Sequence, residues 1–269
     1  MENQFVIAFV LSGVIAAAAM WRHSLSLSGA VGALIVGTLT FGLGGAVWGI
    51  LLGVFFVTSS ALSHFKEREK RAAAEKFEKG HTRDIGQVMA NGGLGALIAL
   101  LSWLSPDPGH LGWFALFLGV IATVNADTWA TELGTLSQRP PRLITTGRVV
   151  EVGTSGGISL LGTTVSFLGG LLIGVVAGLL HQEIGLGIAA ALGGVGGLAG
   201  SLMDSLMGAT VQQIYYCDRC QKDTERKIHR CGTVTRPHRG WAWLNNDLVN
   251  LISSFGGGLV ALLLWFIFS

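Results

Sequence analysis

Charge is what this sequence has least of. Only 13% of its 269 residues are Asp, Glu, Lys or Arg, where soluble domains carry about a quarter. A chain so poor in charge does not read as a water-soluble globule. Cysteine is scarce too: three residues are too few for a disulfide scaffold. There is no P-loop, no kinase Gly-rich loop and no His-Glu-x-x-His stretch. No Ser-His-Asp arrangement is convincing either, because the seven histidines lie away from the polar stripes described below. These gaps remove the commonest NTPase, zinc-protease and hydrolase readings. No separate soluble domain, low-complexity tail or cleaved signal peptide is expected, since the first apolar run has no basic residue before it and further spans follow. What remains is grease and glycine: half the residues are hydrophobic and 40 are Gly. Glycine at that level suits helices that approach closely within a bilayer.

Apolar runs measured against a bilayer needing about 20 helical residues give eight candidate spans: 4–21, 28–42, 45–63, 86–104, 111–132, 156–180, 184–211 and 247–268. The second is short and glycine-rich, so a broken or re-entrant segment is one expectation for it. The whole chain, 1–269, reads as a single all-α, polytopic helix bundle. The connections fall into two sets. Those at 43–44, 105–110 and 181–183 hold no Lys or Arg, and all 18 basic residues occupy the other set. These are Arg22, the stretch Lys66–Arg83, Arg139–Arg148 and Arg219–Arg239. With eight crossings, that second set lies on one face. The positive-inside rule makes this face cytoplasmic, leaves both termini outside, and suggests the cell membrane as the location. Two cytoplasmic loops stand out: 64–83, charged and expected to be helical, and 212–245, which contains Cys and His. The first reads as a solvated helix near anionic headgroups, with Lys66 and Arg83 at its membrane ends within reach of a phosphate.

Four spans carry polar stripes at their basic-loop ends. Thr123 to Ser137 holds Asp127 and Glu132 among hydroxyls and an amide, with Asn125, Thr128 and Glu132 on one stripe and Asp127, Thr131 and Gly134 roughly opposite. A carboxylate at membrane depth costs on the order of 3 kcal/mol, so this segment must be wrapped by protein or open to water. Asp84, Gln87, Asn91 and Leu94 share a face of the fourth span. Ser201, Asp204, Ser205, Gly208 and Gln212 form a seam on the seventh. Asn246, Asn250, Ser253 and Gly257 line up on the eighth. One such stripe would serve as interhelical glue. Four of them, each with a carboxylate in or beside it (Asp247 on the eighth span) and all at the same end, describe a wet pocket closed by glycine-packed helices.

Between spans five and six, Val152-Gly-Thr154-Ser155-Gly156-Gly157 leads straight into a helix, with Arg142 and Arg148 close in sequence. Small residues at a helix start expose backbone amides to anions, which points to phosphate; a plain flexible turn is the bland alternative. The clustered oxygens of Asp127, Glu132 and Asp204 are hard ligands suited to Mg²⁺ or Mn²⁺, with Asn91, Asn246 and Asn250 completing the polar shell. Cations beside phosphate-binding groups are the parts of phosphoryl transfer. Asp127 and Glu132 stand about 140° apart on a regular helix, so either the helix breaks near Thr131 or the two acids have separate roles. In the 212–245 loop, Cys217-x-x-Cys220 and His229-x-Cys231 offer a structural zinc site, with reduced free thiols as the alternative.

Asn125-Ala-Asp-Thr-Trp-Ala-Thr-Glu-Leu-Gly134, Val152-Gly-Thr-Ser-Gly-Gly157, Gly200-Ser-Leu-Met-Asp-Ser-Leu-Met-Gly-Ala209 and Asn246-Asp-Leu-Val-Asn250 together resemble an integral-membrane family. It includes transmembrane protein 19 and the chloroplast phytyl-phosphate kinase of plants. The resemblance spans nearly the whole chain. It implies transfer of a phosphoryl group from a nucleoside triphosphate, CTP or ATP, to an isoprenoid monophosphate such as phytyl phosphate, giving a diphosphate. On that reading Asp127, Glu132 and Asp204 hold the metals, and Asn91, Asn246 and Asn250 orient the acceptor. Arg142, Arg148, Thr154, Ser155, Gly156 and Gln212 grip the nucleotide phosphates. The expected partners are a membrane lipid or isoprenoid phosphate and a nucleotide; no nucleic acid is expected. A carrier of an anionic or isoprenoid metabolite is the alternative, since transporters also place carboxylates within the membrane.

Overall fold

The computed structural model describes residues 2–66, 69, 82–107 and 111–269. The charged helix expected at 64–83 therefore lies largely outside the described residues. Among those described, eight helices are long and apolar enough to cross a membrane: α1 (Glu2–Trp21), α2 (Leu27–Gly44), α3 (Ala46–His64), α4 (Ile85–Leu104), α5 (Leu111–Gly134), α6 (Leu160–Leu180), α7 (Leu186–Thr210) and α8 (Asn246–Phe268). The protein is a multi-pass membrane helix bundle.

α5 is its axis. Every residue from Phe114 to Ala126 is buried. Such all-round burial needs neighbours on every side, and α6, α7, α8, α3 and α4 supply them. Glycine sets the spacing. A Cβ added at Gly193 of α7 would sit 2.6 Å from the carbonyl oxygen of Gly170 on α6, and one at Gly119 of α5 would sit 2.8 Å from that of Gly257 on α8. Backbones this close exchange dispersion contacts and polar bridges that bulkier residues would block. One such bridge is the Thr123 hydroxyl, which lies 2.8 Å from the Gly119 carbonyl of its own helix and 3.3 Å from that of Gly196 on α7. Aromatic packing closes the opposite end, where Trp48 stacks on Phe117 at 4.2 Å between ring centres.

α2 is one unbroken helix, not a broken or re-entrant segment. Ser26 caps it by accepting from Gly29 N at 3.1 Å, and its 18 residues span about 27 Å at 1.5 Å per residue. α5 likewise runs unbroken through Thr131 to Gly134. The irregular helix is α4, in which Met89–Gly93 forms a π-helical turn around Asn91.

The basic connections meet at one end. The backbone of the α1–α2 turn pairs with Arg83, through Ser26 N to Arg83 O and Arg83 N to Ser24 O, both at 3.0 Å. The α5–α6 connection contains a two-residue hairpin, β1 (Arg142–Leu143) against β2 (Gly157–Ile158). The α7–α8 connection folds into a three-stranded antiparallel sheet of order β4-β3-β5, made of β3 (Ile214–Cys217), β4 (Lys222–Thr224) and β5 (Arg236–Arg239). The Ser155 hydroxyl donates to Glu225 at 3.0 Å and joins the two connections.

Candidate functional site

At this end of the bundle the helices part around a cavity of about 320 Å³. α5 and α7 furnish Asp127, Glu132 and Asp204. Asp127 accepts from the Ser201 hydroxyl at 3.5 Å, and Asp204 accepts from Ser253 of α8 at 3.2 Å. Ser201 and Asp204 stand one turn apart on α7, so the two carboxylates face a common space. Asn250 of α8 donates to Asn91 of α4 at 3.5 Å across another wall. Asn246 and Asp247 line the cavity from the first turn of α8. Asn91 sits within the π-helical turn of α4, a feature frequent at functional sites.

Glu132 also borders the cavity, where it accepts from Ser63 of α3, another lining residue, at 2.7 Å. Asp127, Glu132 and Asp204 are not gathered within 4.8 Å of one another; among the described residues only a cysteine–histidine group is. The cause is the straight helix. Five residues separate Asp127 from Glu132, so they point to different neighbours, and the break expected near Thr131 is absent. Two carboxylates with hydroxyls around them still suit a hard divalent cation. Mg²⁺ keeps several waters and takes one or two protein carboxylates together with substrate phosphates, so it needs no all-protein cage.

The Gly-rich loop forms a second wall. Gly153 and Gly156 adopt φ of +79° and +83°, values that L side chains resist. A Cβ at Gly156 would collide with Ala209, so the loop is pressed onto the last turn of α7. Thr154, Ser155 and Gly156 all line the cavity. Ser155 and Gln212 both donate to one Glu225 oxygen, at 3.0 and 2.9 Å. Glu225 is therefore a clasp between the loop, the end of α7 and the strand region.

Arg142 and Arg148 are not brought to the cavity. Arg142 donates to Gly147 O at 2.8 Å within its own hairpin turn, and both arginines are exposed. Their place is taken by Arg83 and Arg230, which do line it. Arg83 lies over the rings of Phe55 and Phe56 at 5.7 and 5.9 Å. Burial draws its guanidinium below the ordinary value, while attraction to Glu132 favours the charge. Two other stripe members serve the fold. Asn125 accepts from Thr58 at 2.9 Å and donates to Gly169 O at 2.8 Å, tying α5 to α3 and α6. Asp84 caps α4 in a reciprocal box with Gln87. Glu225 and Arg230 are not singled out by the sequence: they lie among the Cys and His residues of the 212–245 loop and reach the cavity through the folding of that connection.

Cys217, Cys220, His229 and Cys231 stand together beyond the cavity, their ligand atoms within 4.8 Å of one another. Hydrogen bonding to Thr233 and His229 draws the Cys231 thiol down to about 5, and hydrogen bonding to Cys231 pushes Cys220 up to about 11.

The chain is 32% identical to Protein PGR of Arabidopsis thaliana, over 94% of this chain and 93% of that one. It is 34% identical to an uncharacterized membrane protein of Methanocaldococcus jannaschii, over 78% and 73%. It is 28% identical to Protein VTE6, chloroplastic, of Arabidopsis thaliana, over 79% of this chain and 57% of that one. No solved structure matches. The model of the integral membrane protein family DUF92 matches residues 10–258, and this chain belongs to that family.

Proposed function

We propose that the protein is a membrane phosphotransferase that moves the γ-phosphoryl group of a nucleoside triphosphate onto an isoprenoid monophosphate. One observation carries this reading. Two intramembrane carboxylates, a glycine-turn loop and two arginines open on a single cavity at one end of the bundle. The sequence resemblance to the plant phytyl-phosphate kinase narrows the acceptor to a prenyl phosphate.

In the proposed reaction an acceptor phosphate oxygen attacks the γ-phosphorus. The bond from that phosphorus to the β-bridging oxygen breaks, and the electron pair leaves on the nucleoside diphosphate. Charge balances without a proton transfer, because the acceptor is already ionised, so no general base is required. Catalysis then rests on position and charge. Asp127 and Asp204 would hold Mg²⁺, which on binding neutralises phosphate charge as it spreads. Arg83 and Arg230 would pair with phosphoryl oxygens, and Thr154 and Ser155 would orient them by hydroxyl and amide contacts. Asn91, Asn246 and Asn250 would hold the acceptor headgroup. The apolar tail would leave between helices, with Leu198 and Leu202 of α7 on that wall.

The reading also includes an orientation: the cavity faces the cytoplasm, where the nucleotide is, and both termini lie outside. A cavity bordered chiefly by residues toward one end of the bundle, and reaching mid-helix at Leu198 of α7, fits an enzyme better than a carrier, whose site is expected nearer the midplane. The test is an assay of detergent-purified protein with γ-labelled ATP and CTP against a panel of prenyl monophosphates. Label in a lipid diphosphate supports the proposal. Tight lipid binding with no transfer under any pairing would sink it in favour of a carrier.

A further inference from the structure

The α7–α8 connection contains the tightest group of metal-ligating side chains among the described residues, and the phosphotransfer reading makes no use of it. Cys217 ends β3 and Cys220 sits in the turn to β4, where Gln221 N closes on Cys217 O at 2.7 Å. His229 and Cys231 come from the β4–β5 connection, turned by Gly232 at φ +80° with Gly232 N bonded to His229 O at 2.9 Å. Two short turns thus present two ligands each. The Cys217 and Cys231 sulfurs lie 3.7 Å apart, and His229 Nδ1 lies 3.2 Å from the Cys231 sulfur. A tetrahedral ion with metal–sulfur bonds of about 2.3 Å needs sulfurs about 3.8 Å apart, whereas a disulfide needs about 2.05 Å. All three cysteines are free thiols.

The strands around this group are short, of four, three and four residues, and the apolar residues beside the ligands lie open to water. Ile228 and Val234, the apolar residues flanking the turn, are 60% and 75% exposed. A sheet this small rarely stands in water without a staple.

We propose that Cys217, Cys220, His229 and Cys231 bind one structural Zn²⁺, which holds the β3–β5 sheet against the cavity. Arg230 lies between two of the ligands and borders the cavity, and Glu225 reaches the Gly-rich loop from the end of β4. Closing the Cys₃His site fixes both positions at once. Metal binding here is folding energy for the connection, since the site does not exist in an opened loop.

The experiment uses the full chain purified in detergent under reducing, zinc-replete conditions without chelator. Elemental analysis is expected to find one zinc per chain, released as three thiols react with an organomercurial. Cobalt in its place should give the d–d and thiolate charge-transfer bands of a tetrahedral Cys₃His site. C220S should lose the metal, H229C should keep it with a stronger charge-transfer band, and D127N should keep it unchanged. Stripping the wild-type protein of metal should make trypsin cleavage after Lys227 and Arg230 at least about tenfold faster, as the connection opens. Protein with three reactive thiols and no zinc, a Cys217–Cys231 disulfide, or zinc content indifferent to C220S would overturn the proposal. None of these readouts depends on phosphoryl transfer, so this proposal and the proposed function fail separately.

Discussion

Arg83 and Arg148 are the same residue type in the same set of basic connections, yet the fold gives them different work. Arg83 is drawn into the cavity wall beside Phe55, Phe56 and Glu132. Arg148 stays in solvent. A charge-assisted hydrogen bond to phosphate contributes about 1.5–3 kcal/mol, so Arg83→Gln should lower kcat/KM for the nucleotide by roughly 10–100-fold. Arg148→Gln should change it by no more than about twofold. Steady-state kinetics on the two variants checks the pair, and equal effects would mean the cavity has been wrongly bounded. Gly156 invites a second substitution. Alanine there takes on the left-handed penalty of about 1–2 kcal/mol and runs into Ala209 of α7. Thermal unfolding in detergent should show a loss of at least that size. A wild-type melt would show that the loop does not press on α7.

At the scale of the element, the same polar stripe on α5 divides into structure and site. Asn125 spends its amide on α3 and α6. Asn125→Ala removes two interhelical hydrogen bonds, at about 0.6 kcal/mol each and up to about 1.7 in membranes. The melt should therefore fall by about 1–3 kcal/mol while turnover per folded molecule stays within roughly threefold. A large loss of turnover with an unchanged melt would assign Asn125 to the chemistry instead. The helices themselves were legible from the run of apolar residues, because hydrocarbon thickness imposes length on every span. The cavity-facing residues of α7 and α8 followed from helical spacing. Helical spacing does not tell which polar residues on a stripe point into water and which bond to a neighbouring backbone, since that depends on partners distant in sequence. Asn125 and Asp84 are such cases. The π-helical turn at Asn91 and the continuity of α2 were hidden for a related reason: tertiary contacts decide how a glycine-rich helix runs. Arg142 and Arg148 looked close to the Gly-rich loop along the chain, and the β1–β2 hairpin carried them to its outer side.

For the whole molecule, the basic connections meet at one end, and the orientation proposed for it puts the opposite end outside the cytoplasm. A periplasmic or lumenal reporter fused after Ser269 should be active and a cytoplasmic one silent, with the result reversed for fusion within 212–245. The opposite pattern would invert the molecule and take the cavity away from the nucleotide. In the proposed function, carboxylates from α5 and α7 meet in a phosphoryl-transfer site. The most direct test measures transfer of labelled γ-phosphoryl to prenyl phosphate by wild-type, D127N and D204N protein prepared side by side, with folding checked by elution profile and melt. Removing one group that stabilises developing charge typically costs about 10²–10³ in rate. The wild type should transfer the label, and each folded variant should do so at least about 100-fold more slowly. Transfer that survives either substitution, or a wild type that transfers nothing, would contradict the proposed function.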